Sequence, residues 1–111
     1  MNKDLTESKK HSQLVQEVSN YLKSVGKDVA VYYPFQDKKI DIITFDNQWK
    51  IDSFGECIVS QSLIDAFRKL KELPDLKKTI YRYEVKPNPL SKKRVKWIKE
   101  NGINIVEMVE W

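Results

Sequence analysis

The sequence predicts an α/β fold in which helices flank a mixed central sheet. Apolar residues recur at helical spacing in three segments, and five other short segments are dense in β-branched and aromatic residues. Their order is helix, three strands, then helix, strand, helix, strand. Consecutive strands imply hairpins and strands separated by helices imply parallel crossovers, so one sheet must contain both pairings.

Each element has a local reason. The first ten residues, rich in Lys, Asp, Glu and Ser, are expected to fray or lead into a helix. From His11 the pattern is helical: Leu14, Val15, Val18, Leu22 and Val25 share a stripe, and Gly26 supplies a C-cap. "DVAVYYPF" (28–35) reads as a strand closed by Pro34, and "KIDIITF" (39–45) as a second strand. Asp46-Asn47 reads as a turn into a third strand over 49–59.

"SLIDAFRKLKEL" (62–73) carries one apolar stripe of Leu63, Ala66, Phe67, Leu70 and Leu73. Ser62 with Asp65 gives it a capped start, and Pro74 marks its end. A fourth strand spans 78–85, ahead of the breakers Pro87 and Pro89. Ser91 caps a helix over 92–101, with Leu90 and Val95 placed as a hydrophobic staple. Gly102 ends that helix and 103–111 forms the last strand.

A length of 111 residues supports one domain, here residues 11–111 behind a lead-in over 1–10. A chain this short buries only about two-thirds of its unfolded surface, so a homodimer is the expected assembly. No apolar run approaches the ~20 residues that span a bilayer, and the N-terminus lacks an apolar signal core, which leads to an expected cytoplasmic location. With one cysteine, Cys57, and one histidine, His11, neither a disulfide framework nor a Cys- or multi-His zinc site is expected. A net charge of +4 permits nucleic-acid binding without requiring it.

The acidic residues of the second and third strands are the chemically informative ones. By period-two alternation Asp41 shares a face with Lys39 and Ile43, and Asp52 shares one with Lys50, Phe54, Glu56 and Ile58. A two-residue turn at Asp46-Asn47 sets Asp41 across from Asp52 and leaves Glu56 roughly 13 Å farther along the strand. A wider loop over about Asn47–Lys50, or a bulge at Gly55, instead sets Glu56 opposite Asp41. In either register two close carboxylates repel unless a cation lies between them. Hard oxygen donors without Cys or paired His favour Mg²⁺ or Mn²⁺.

With "KKIDIITF" (38–45) preceding "GECIVSQSLIDAFRKLKEL" (55–73), the α-β-β-β-α-β order resembles the PD-(D/E)XK nuclease superfamily, which includes restriction endonucleases and archaeal Holliday-junction resolvases. "TIYRYEVKPNPLSKKRVKWIKENGINIVEM" is similar to the strand, helix and strand that often close that fold. The resemblance implies a restriction endonuclease-like αβββαβ core with an added C-terminal helix and strand, and metal-dependent hydrolysis of DNA phosphodiesters. It implies Asp41 and Glu56 as Mg²⁺ or Mn²⁺ ligands, whereas the simple hairpin favours Asp52 as the second ligand. The lysine expected two residues after Glu56 is Ile58. Lys39 and Lys50 are the candidate catalytic replacements, and Lys69 or Lys71 could reach in from the following helix. Glu17 is the candidate acidic residue of the first helix, where a solvated helix position explains it equally well. A nuclease fold that has lost catalysis and binds nucleic acid or a protein partner is the alternative.

Other residues have plainer readings. His11 reads as a surface or capping residue, Cys57 as a small buried hydrophobe, and Gln61 as a helix-start polar residue or a phosphate contact. Glu84-Val85-Lys86 repeats the Glu-x-Lys triplet but has no hairpin Asp before it. Two basic clusters, Lys69, Lys71, Lys77 and Lys78, then Lys92, Lys93, Arg94, Lys96 and Lys99, are candidate phosphate contacts or ordinary solvated faces. Lys69, Lys71, Lys92, Lys93, Arg94 and Lys96 are the expected DNA-binding set, reading backbone or shape.

Overall fold

The computed structural model describes residues 2–59, 63–84 and 92–109. Its elements are α1 (Asn2–Ser24), β1 (Asp28–Phe35), β2 (Lys38–Phe45), β3 (Ile51–Ile58), α2 (Leu63–Lys71), β4 (Lys77–Tyr83), α3 (Lys92–Glu100) and β5 (Ile103–Met108). The strands form one five-stranded mixed sheet in the order β1-β2-β3-β4-β5. β1–β2 and β2–β3 are antiparallel hairpins, while β3–β4 and β4–β5 are parallel pairs connected through α2 and α3. The mixed α/β architecture expected from the sequence is therefore present.

The two faces of the sheet are covered by different helices. Leu14, Val15 and Val18 of α1 pack with Ile42, Cys57, Tyr81 and Tyr83. On the other face Leu63, Ala66, Phe67 and Leu70 of α2 and Ile98 of α3 pack with Ile43, Phe54, Ile58, Ile80 and Ile103. Since the parallel strands return through helices, the N-terminal ends of α2 and α3 lie at the edge of the sheet where β3 and β4 end.

Helix α1 starts well before His11, so the first residues extend it rather than fraying: they contain no Gly or Pro and are rich in good helix formers. It ends as expected at Gly26, whose φ of 90° permits the bond from the Lys27 amide to the Leu22 carbonyl at 3.0 Å. β1 covers the expected range 28–35 and takes in Pro34 one residue before its end; β1 is an edge strand, where a missing amide donor is tolerated. The proposed caps Ser62 and Ser91, the staple residue Leu90, and Gln61 lie outside the described residues.

The β2–β3 connection decides the register. The Asp46 amide bonds the Lys50 carbonyl at 2.8 Å, and the Asp46 carboxylate accepts the amides of Gln48 and Lys50 at 2.8 and 3.0 Å. Trp49 takes a left-handed φ of 61° to close this turn. The tight Asp46-Asn47 turn is thus replaced by a wider one. Phe45 then pairs with Ile51 but Thr44 pairs with Ser53, leaving Asp52 as the extra residue of a bulge. Ile42 consequently faces Gly55, and Asp41 is aligned with Glu56 rather than Asp52.

Candidate active site

Backbone pairing between β2 and β3 stops at Ile42↔Gly55. Beyond that point β2 continues beside β1 through Lys38, and β3 continues beside β4 through Ile58. The two strands therefore fork, and Asp41 and Glu56 occupy the fork. Each carboxylate takes an amide from the opposite strand: Glu56 Oε2 accepts the Asp41 N–H and Asp41 Oδ2 accepts the Cys57 N–H, both at 3.0 Å. The side chains serve as the ladder's last rungs, which explains why so short a chain places acids inside an Ile-rich strand. Both are buried, at 9% and 7% exposure.

One side chain enters the fork from each helical layer. From α2, Lys69 Nζ donates to Glu56 Oε1 at 2.8 Å and to the Lys39 carbonyl at 2.6 Å. From α1, His11 Nε2 lies 3.1 Å from both Asp41 Oδ2 and the Cys57 carbonyl oxygen. His11, Asp41, Glu56, Cys57, Ile58, Asp65, Ala66 and Lys69 line a pocket of about 310 Å³.

Burial, reinforced by the charge of Asp41, raises the Glu56 pKa above the usual carboxylate value against the opposing Asp41 amide and Lys69. The hydrogen bond to Asp41 raises His11 above its ordinary 6.5 despite partial burial. The Cys57 thiol is pushed far upward by burial and then by the two carboxylates, so it stays protonated.

The His11 shift fixes a sign. A pKa raised on folding contributes stability that is complete below the unfolded value and is lost as pH rises through the folded one. Thermal midpoints of the wild type are expected to fall as pH increases above 6.5, and His11→Gln to remove that component of the slope. Glu56, also raised, contributes the same sign at lower pH, so it persists in the variant and serves as an internal control. A slope above pH 6.5 identical in both proteins would show that His11 is not coupled to Asp41.

Of the candidate catalytic, metal-binding and DNA-binding residues named from the sequence, Asp41, Glu56 and Lys69 meet, and the others go elsewhere. Asp52 is bonded by the Thr44 hydroxyl and lies 3.9 Å from Lys27 Nζ. Lys39 contributes only its carbonyl, its side chain being exposed. Lys50 is exposed at the hairpin turn, six residues and roughly 20 Å along the strand from Glu56. Glu17 accepts the Tyr83 hydroxyl at 2.9 Å and ties α1 to β4. Lys71 reaches the Asn101 carbonyl at 3.4 Å, and Lys78 is buried with its ammonium on the Leu73 carbonyl at the end of α2. Lys92, Lys93, Arg94 and Lys96 are exposed along α3. Glu84 pairs with β5 through its amide, and the remainder of its triplet lies outside the described residues.

His11 is the residue that pattern reading undervalued. A single histidine thirty residues from Asp41 carries no local signal of the contact; only docking of α1 on the sheet creates it. Its place at the first turn of the apolar stripe, three residues before Leu14, was the available hint.

Among the described residues no three His, Cys, Asp or Glu side chains form a group able to hold a metal ion. The convergent donors are of mixed type: the His11 imidazole, the Asp41 carboxylate and the Cys57 main-chain carbonyl. The two separations of 3.1 Å at His11 Nε2 are those of hydrogen bonds from the imidazole to the Asp41 carboxylate and the Cys57 carbonyl. Mg²⁺ keeps several waters and needs only one or two protein carboxylates. The carboxylate and carbonyl oxygens are of the type that hard divalent cations prefer, and the imidazole is the softer donor among the three. No family model, curated protein or solved structure matches the chain.

Proposed function

We propose that the chain is a divergent restriction endonuclease-like domain that hydrolyses nucleic-acid phosphodiesters with a divalent cation. The observation that carries this reading is the strand fork: two buried carboxylates held edge to edge, with a lysine ammonium 2.8 Å from one of them in an open pocket. Lys69 pairs with Glu56 and His11 with Asp41, and two acids held this close are electrostatically costly, so the fork suits a site where a cation could replace the imidazolium beside Asp41.

Asp41, the Cys57 carbonyl and His11 would hold Mg²⁺ or Mn²⁺, with Glu56 beside them. The bound ion would polarise phosphoryl oxygens and acidify an attacking water. Lys69, anchored by the Lys39 carbonyl, presents a fixed positive charge where negative charge develops on the phosphate, standing in for the lysine that Ile58 replaces. Glu56 orients that ammonium and, through the Asp41 amide, fixes the backbone carrying the other acid. The exposed cations of α3 would hold the phosphate backbone, and DNA is the partner favoured by the resemblance to nucleases.

The test is cleavage of duplex, branched and single-stranded DNA with Mg²⁺ or Mn²⁺. Wild type is expected to cut, and Asp41→Asn to reduce the rate by about 10³-fold while keeping its fold. Equal rates in the two proteins would refute the proposal. The second reading, a nuclease fold retained for binding, is favoured by one observation: no buried side-chain oxygen or nitrogen among the described residues lacks a hydrogen-bond partner, so the acids are satisfied without a cation. Salt-sensitive binding with no cutting in either metal would select it.

A further inference from the structure

We propose that α3 carries a base-stacking platform centred on Trp97, and that the nucleic acid it takes is single-stranded or has an unpaired strand. This rests on the nucleic-acid reading of the fork and adds a substrate class to it. Trp97 is 47% exposed, yet its ring is held in place from one side by Phe67 of α2, with centroids 4.6 Å apart. Phe67 is itself 8% exposed, so the support is part of the core. An indole backed in this way has fewer rotamers open to it than a free one and presents an apolar surface to solvent.

The surroundings of Trp97 are cationic. Lys93 and Arg94 precede it by four and three residues, which places them one turn away on the same side of the helix. Lys92, Lys96 and Lys99 complete five cations in the nine residues of α3, against the single acid Glu100. Lys27, Lys38, Lys69 and Arg82, which do form ion pairs, lie on other elements. Lys71 of α2 extends toward the far end of α3, beside Asn101.

Position supplies the link to the fork. Lys93 and Arg94 lie toward the N-terminal end of α3, the end of the sheet at which β3 stops and the carboxylates sit. On α2, Lys69 faces the fork and Phe67 faces α3, so the platform and the pocket flank one helix, about 10 Å across. A strand whose phosphate rests at Lys69 could cross α2 and reach Trp97 within a few nucleotides. Only an unstacked base can offer its face to the indole; a duplex keeps its bases covered. Phosphates on either side of that base would meet Lys93 and Arg94.

The experiment uses Trp49→Phe/Trp111→Phe, in which Trp97 is the sole tryptophan, titrated with a short oligothymidylate in EDTA so that no cutting intervenes. Binding is expected to quench the Trp97 fluorescence. In otherwise wild-type protein, Trp97→Ala is expected to weaken single-strand binding about tenfold and leave a fully paired duplex unaffected. Trp97→Phe, which keeps an aromatic face against Phe67, should retain most of the affinity and guards against a folding artefact. Lys93→Glu/Arg94→Glu should weaken both ligands and flatten the salt dependence.

Unchanged fluorescence at saturation overturns the proposal, as does equal loss of single-strand and duplex binding in Trp97→Ala. So does a preference of the face for polyglutamate over the oligonucleotide, which would assign it to an acidic protein partner. The two readings fail separately. Cutting that depends on Asp41 without quenching of Trp97 sinks the platform alone, and quenching without cutting sinks the nuclease alone.

Discussion

Replacing Lys69 with methionine is expected to lower phosphodiester cleavage by about 10²- to 10³-fold, the usual cost of removing one preorganised donor to a developing anion. Methionine keeps the length and much of the packing of the lysine stem, so the loss isolates the ammonium. Mn²⁺ affinity should hold or tighten, because the competing cation on Glu56 Oε1 is gone. This combination, slower turnover with undiminished metal binding, separates a group that acts on the substrate from one that only shapes the site. Ile58 offers the complementary experiment. It lies two residues past Glu56 on the same face and lines the pocket. Lys69→Met/Ile58→Lys is therefore expected to recover part of the lost rate by delivering a cation from the strand instead of the helix. Wild-type cutting by Lys69→Met would remove the lysine from the mechanism altogether.

The second large effect concerns Gly55, which has no role in chemistry. A Cβ there would lie 2.8 Å from Tyr81 Cε2 and 3.2 Å from the Ile42 Cβ. Tyr81 is 8% exposed and packed in the α1-side cluster with Leu14, Val15 and Val18, so its ring cannot swing aside. Gly55→Ala is expected to cost about 2–3 kcal/mol, as overpacking in a filled core does. For a domain of this size that lowers the thermal midpoint by roughly 8–15 °C. Because Gly55 makes the last backbone pair before the fork, the displaced strand would also move Glu56. A midpoint within about 2 °C of wild type would show that the sheet absorbs the added methyl.

The order of elements was legible in the sequence because each carries its own punctuation: Gly26 and Gly102 after helices, Pro74 after α2, and β-branched runs between. The ends moved, most at the start of α1 and by one or two residues at β3 and α2. Residues Asp41 and Glu56 were legible as candidates, but their alignment was not. Alternation shows which face a residue takes and is silent about register, which here depends on one extra residue, Asp52, and on a left-handed Trp49. Neither has a compositional signature. Lys69 could be weighed only among several lysines, since its reach across to Glu56 is a tertiary fact. For His11 the same holds over a longer stretch of chain. Nothing in the described fold has a helix long and apolar enough to cross a membrane.

Closing the fork with side-chain carboxylates has a spectroscopic consequence. The amide proton of Asp41 is donated to a Glu56 oxygen whose pKa is raised, and that of Cys57 to an Asp41 oxygen that would ligate an ion. Elsewhere in the ladder an amide sees a carbonyl whose charge never changes. These two resonances in a ¹⁵N–¹H correlation spectrum should therefore shift with carboxylate charge while their neighbours at Ile43 and Phe54 stay still. The backbone itself reports on the site. Occupancy and protonation can thus be followed residue by residue with no substrate present.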